Sequence, residues 1–258
     1  MNVFFKILFC ITLFSLTLTN INAKDTIKIS NGEWPPFFSK DLKYDGVTSH
    51  VVKKAFSLEN LTIEYEWYPW KRAFHLAKVG DIDATIGWEK RKDRESDFLF
   101  SDVILNGNVV FFYLKHNKFD WNTFNDLKEL KIGTVSGYKY GNKIQKLEKI
   151  AGVSLHTVIN EQKLFKMLIK ERFDVVIINL DVGYGILNKY FLPSNVQKIA
   201  YHKKPLHTEY LRLLFSKKNA RNKSIVKKFN RGLKQLKDNG TFKQYYENSR
   251  RGKYEKKQ

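Results

Sequence analysis

Hydrophobic and polar positions along this chain switch repeatedly between a period of two and a period near 3.6, which predicts alternating strands and helices. Thr26-Ile27-Lys28-Ile29-Ser30 alternates and predicts a first strand. Pro35 and Pro36 deny the segment from Asn31 to Phe38 a helix and hold its aromatic rings on a stiff, extended loop. Val47, Val51, Val52, Ala55 and Phe56 recur on one helical face, and Leu61 to Trp67 alternates as a second strand. Pro69 suits the first turn of a helix that buries Ala73, Leu76 and Ala77, and Gly80 closes it. Ala84 to Ile86 is a short apolar run, a buried strand that opens after Gly87 and Trp88 onto a charged loop containing Arg94. Phe98-Leu99-Phe100 must then be reburied.

The pattern continues beyond that loop. Asn108 to Leu114 predicts a long apolar strand, and Thr123-x-x-Asp126 a capping box. Lys131 to Val135 is a strand that breaks into the turn Ser136-Gly137-Tyr138 and a helix from Tyr140 to Ile150. Asn160 caps a helix burying Leu164, Met167, Leu168 and Phe173, and a β-branched strand from Asp174 carries on to Asn179 and Asp181. Glu209 to Ser216 reads as a strand, Ile225, Phe229, Leu233 and Leu236 as a helix, and Tyr246 lies in a last one. A strand–helix alternation interrupted by a second such unit and then resumed predicts two α/β lobes, the first discontinuous. Lobe one is expected over 24–114 and 205–258 and lobe two over 115–204, with the two crossings as a hinge.

Length and charge narrow this picture. The 258 residues suffice for one large or two modest domains. Residues 1–23 carry Lys6, an apolar core from Ile7 to Leu18 and a small residue, Ala23, before a cut, the pattern of a secretory signal too short to span a bilayer. The single cysteine, Cys10, lies in that leader, so the mature chain has neither thiol nor disulfide. A net charge of +20 raises nucleic-acid binding, but the lysines are spread along the chain and no nucleic-acid motif appears. The basic run from Arg250 to Lys257 reads as a frayed end.

The candidate chemistry starts at Arg94. A guanidinium on the loop beyond a strand's carboxyl end can hold a carboxylate with two parallel hydrogen bonds, in the place where open α/β sheets bind ligands. Trp70 and Arg72, beyond the second strand, form a second anchoring group with Tyr68, and Ser136, Gly137 and Tyr138 precede a helix whose free amides favour an anion.

The order Gly80-x-x-Asp83-Ala84, Arg94, Phe100-Ser101-Asp102 resembles the extracellular solute-binding proteins of family 3, which serve polar amino acid ABC transporters. The proline loop after the first strand, the opening of the second lobe and Asp238-x-Gly240-Thr241 near the end are similar too, so the likeness covers nearly the whole mature chain. It implies a periplasmic binding protein-like type II fold, two α/β lobes joined by a two-segment hinge. It also implies a monomeric periplasmic protein that closes on an amino acid or related carboxylate and docks on a membrane permease, with no cofactor, no metal and no nucleic acid. By this likeness Arg94 grips the α-carboxylate, Trp34 provides the stacking ring, and Asn31, Phe37 and Trp88 join the ligand wall. The family's aspartate for the α-ammonium falls on Asn179, which has no charge; either Asp181 takes over or the ligand lacks that group.

Other classes remain in view. A lyase on the same scaffold would draw on Glu33, Asp181 or the six histidines, yet no nucleophile–base spacing and no His-Glu-x-x-His signature is present. A sensory protein would use the same pocket, whereas a basic adhesin would need no buried Arg94 site.

Overall fold

The computed structural model of the chain describes residues 26–136 and 142–256. The predicted leader, Gly137 and Tyr138 lie outside them. The chain opens with β1 (Ile27–Asn31), α1 (Val47–Leu58), β2 (Ile63–Trp67), α2 (Trp70–Val79), β3 (Ala84–Glu89), β4 (Phe98–Phe100) and β5 (Leu105–Leu114). It continues with β6 (Lys131–Val135), α3 (Asn142–Glu148), β7 (Ser154–Val158), α4 (Glu161–Ile169), β8 (Val175–Asn179), α5 (Leu180–Tyr190) and the short α6 (Pro193–Val196). β9 (Ile199–Tyr201), β10 (His207–Ser216), α7 (Asn222–Asp238) and α8 (Thr241–Arg250) complete it. Among the described residues no helix is long and apolar enough to cross a membrane.

The strands join in the order β2-β1-β3-β10-β5-β8-β6-β7, with β4 added to β10 and β9 to β5. β5 and β10 carry the continuity. The first half of β5 pairs β10 and its second half pairs β8, while β10 goes on to pair β3 and β4. Along β5, Val110, Phe112 and Leu114 join a core that runs from Ile27, Val51 and Phe56 to Leu164 and Ile178. Val109 and Phe111 point the other way, into a second core with Trp121, Leu127, Ile132 and Ile177. The run reads as uniformly apolar because both faces of the strand are covered.

Asp83 and Ser101, two of the residues that carried the family likeness, hold the fold together. Asp83 is 6% exposed. It accepts hydrogen bonds from the Lys28 amide (3.0 Å), from Asn219 (2.7 Å) and from Arg221 (2.8 Å), joining β1 and β3 to the turn after β10. Ser101 Oγ accepts the Leu213 amide at 3.0 Å, locking the Phe-Ser-Asp element onto β10.

Two expectations are corrected. The strand from Asp174 ends at Asn179 instead of continuing to Asp181, and Leu180–Tyr190 is a helix that the glycines at 183 and 185 hide from a propensity reading. Asn179 Oδ1 caps it by accepting the amides of Asp181 (3.0 Å) and Val182 (3.2 Å), and a Cβ on Gly183 would lie 2.7 Å from the Phe112 ring. The chain's end is not frayed through 256. Tyr254 is 5% exposed, its carbonyl accepts the Lys43 amide at 2.9 Å, and Glu255 bridges Leu42.

Candidate functional site

Strand register shows where the sheet narrows between its two halves. β3 ends at Glu89 opposite Leu211, which in turn faces Leu105 at the start of β5. β8 approaches from the far side and ends at Asn179 opposite Val109. Between those two levels, roughly 13 Å at the usual strand rise, the sheet narrows to two strands, 105–109 and 207–211. β1, β2 and β3 run parallel with their carboxyl ends towards this bridge, and β6, β7 and β8 aim theirs at it from the opposite direction. Crevices at strand carboxyl ends are where open α/β sheets bind ligands.

An aromatic wall lines the first side. Asn31 is fully buried; its Nδ2 donates to Ser49 Oγ (3.0 Å) and its Oδ1 accepts the Gly32 amide (2.9 Å), fixing the turn out of β1. Trp34 is half-buried and meets Phe37 edge-on at 4.8 Å, and Phe37 itself lies in the core at 0% exposure. Trp70 fits over Gly32, where any Cβ would come within 2.6 Å of the indole. It continues edge-to-face to Trp88 at 5.7 Å, and Trp88 to Phe74 at 5.0 Å. Gly87, at φ 87°, has no partner in β10 between Ile86 and Trp88, and this bulge swings Trp88 into the wall. Arg72 stacks on Tyr68 at 5.2 Å, beside a groove of about 340 Å³ lined by Glu33, Lys40, Trp67, Tyr68, Pro69 and Trp70.

Arg94 sits at the wall's end. Its guanidinium lies 5.2 Å over Trp88 and 5.3 Å over Phe74, and Nη1 donates to the Glu89 carbonyl at 2.7 Å. Burial and the neighbouring Arg91 draw its pKa down, against Asp93 and Glu89, and the group stays charged. Among the described residues no carboxylate pairs with it. A planar cation oriented by two rings and one carbonyl, with its remaining donors uncommitted, is arranged to take a carboxylate.

The second side differs from expectation. Ser136 is exposed and its amide donates to the Val158 carbonyl at 2.9 Å. Asn179 is 7% exposed, its carbonyl oxygen spent on the α5 cap, and its Nδ2 lies 3.4 Å from where a Gly107 Cβ would be. Asp181 is 2% exposed and held by Arg250 Nε at 2.7 Å. With Asn106, Asn108, Phe242 and Tyr246 it lines a cavity of about 190 Å³. Because side chains alternate along β5, that cavity lies on the face opposite Gly107, so Asp181 is turned away from Asn179's side of the bridge.

Sequence reading missed Glu209, which it saw only as a strand residue. Glu209 faces Gly107 across the bridge, with its Oε2 3.3 Å from that same Cβ position. Burial, with Glu89 adding to it, pushes its pKa up. The register of two distant strands brings it beside Asn179, and no local motif signals that.

Solved structures share this architecture. A second substrate-binding domain of a putative amino acid ABC transporter from Streptococcus pneumoniae aligns with TM-score 0.70 at 18% identity, over 86% of this chain and 98% of that one. The second substrate-binding domain of Lactococcus lactis GlnP, in its open conformation, gives 0.71 at 16% over 92% and 98%. The S. pneumoniae amino acid transporter binding protein AbpA, bound to L-arginine, gives 0.54 at 16% over 92% and 99%. The fold is therefore that of a type II periplasmic binding protein. No curated protein sequence matches the chain. Residues 27–249 match the bacterial extracellular solute-binding proteins, family 3, and the chain belongs to that family.

Proposed function

We propose that this protein captures an amino acid or a closely related small carboxylate in the crevice and delivers it to an ABC transporter permease in the periplasm. The observation that carries the reading is Arg94: a charged guanidinium oriented by Trp88, Phe74 and the Glu89 carbonyl, with no carboxylate partner among the described residues. Similarity to a binding domain of a putative amino acid ABC transporter and to an L-arginine-bound transporter binding protein supports the ligand class. Lobe one over 24–114 and 205–258 and lobe two over 115–204 would close about the β5–β10 bridge, so a ligand touching both lobes favours the closed form. The role is binding and release rather than turnover.

The test is thermal denaturation of the full chain with the standard amino acids and with small organic acids. A binder is stabilised by mass action, and Arg94→Ala should lose that stabilisation. No melting shift with any of these compounds, or an unchanged shift in the variant, refutes the reading.

A further inference from the structure

Glu209 is a half-buried carboxylate at the middle of the bridge, and among the described residues no cation pairs with it. Gly107 opposite it makes room: the carboxylate folds over a strand position that bears no side chain, with Oε2 3.3 Å from the missing Cβ. The other polar groups around it are committed. Asn179 Oδ1 accepts two α5 amides, so that side chain presents only N–H donors towards the bridge. The capping bonds also decide which way the amide points, since only its oxygen can accept them. The Glu89 carbonyl is spent on Arg94, and Asp181 is turned to the other face of the bridge and held there by Arg250. Glu89 closes β3 opposite Leu211, two residues along the same strand from Glu209, and its charge adds to the negative potential there.

An ammonium group is all donors and needs acceptors with free lone pairs. From this geometry we infer that Glu209 receives the ammonium of the bound ligand and so restricts the crevice to ligands carrying both a carboxylate and an ammonium. It does the work that Asn179 cannot do with its oxygen capped. The inference rests on the reading of Arg94 as the carboxylate anchor. The raised pKa of Glu209 fits, because a buried carboxylate without a counter-charge is stabilised when a cation arrives.

The experiment is calorimetric titration of the full chain with the standard amino acids and, for each that binds, with its analogue bearing hydrogen or hydroxyl in place of the ammonium. Wild type should favour the amino acid by about 10–100-fold, the worth of one charge-assisted contact. Glu209→Gln should lose that preference while binding the des-amino analogue at least as well as wild type. Its unliganded melting temperature should not fall, since an unpaired buried charge has been removed; Glu209→Asp, which keeps the charge but retracts it, should lie between. Undiminished amino acid binding by Glu209→Gln overturns the assignment, as does wild-type preference for the analogue, and either leaves Arg94 as a carboxylate anchor intact. If neither class binds wild type, the Arg94 reading falls and this inference with it.

Discussion

Arg250, near the end of the chain, closes on Asp181 with two hydrogen bonds, Nε to Oδ1 at 2.7 Å and Nη2 to Oδ2 at 3.2 Å, tying α8 to the first turn of α5. Asp181 is 2% exposed, and burial pushes its pKa up against the pull of the guanidinium. Removing one member of such a pair strands the other charge in a buried site, a loss of about 3–5 kcal/mol. Arg250→Ala should therefore lower the urea midpoint strongly. The double variant with Asp181→Ala should recover much of the loss, whereas additive losses would show that the two residues act separately.

Arg94→Lys tests geometry apart from charge. Lysine keeps the charge but has neither the planar fork that pairs with a carboxylate nor the plane that stacks on Trp88 and Phe74. Ligand affinity should fall about 10–100-fold by calorimetry, with the unliganded melting temperature little changed because Arg94 is partly exposed. Wild-type affinity in the lysine variant would mean that charge alone suffices there.

His50 is stacked between Tyr44 and Tyr245, each ring centroid 4.1 Å away, and its Nδ1 lies 2.7 Å from the Tyr254 hydroxyl. Burial, with Lys54 and Lys53 adding to it, lowers its pKa from 6.5 to about 4. The unfolded chain thus binds this proton at a higher pH than the folded one does. Stability held above pH 6.5 is lost as pH falls towards 4, by about 1–2 kcal/mol once solvent screening of a half-buried ring is allowed for. Urea denaturation at several pH values should show this slope in wild type and a shallower one in His50→Phe; equal slopes would assign the effect elsewhere.

Gly232, inside α7, sets the approach of that helix to α1. A Cβ there would collide with the Ala55 carbonyl oxygen, and backbone cannot rotate out of the way. Helix propensity favours Gly232→Ala by about 1 kcal/mol, while forcing two packed helices apart costs about 1–3 kcal/mol or more. The clash should win, and the variant should melt lower than wild type; a higher melting temperature would show that the helices separate freely.

Local chemistry decided much of what could be read in advance. Each of β1, β2, β3, β5, β6 and β10 carries its own apolar run, and α1, α2, α4 and α7 their own apolar face, so their existence depends on near neighbours in the chain. The family order around Arg94 was legible for the same reason, and the proline loop announced the turn that carries Trp34. Helix α5 was not legible: its glycines lower helix propensity, and they are present because Phe112, far away in the chain, fills the space a side chain would need.

The amino-acid sequence alone therefore determined most of the strand–helix order and marked Arg94 as a candidate anchor, since periodicity and turn chemistry act over a few residues. Which charges remain free was decided only by tertiary structure. Asp181 looked available until α8 brought Arg250 against it, and Glu209 looked ordinary until strand register set it beside Asn179 over Gly107. The state of a buried charge depends on what surrounds it in space, and those groups are far apart in the numbering, 69 positions for Asp181 and Arg250 and 102 for Gly107 and Glu209.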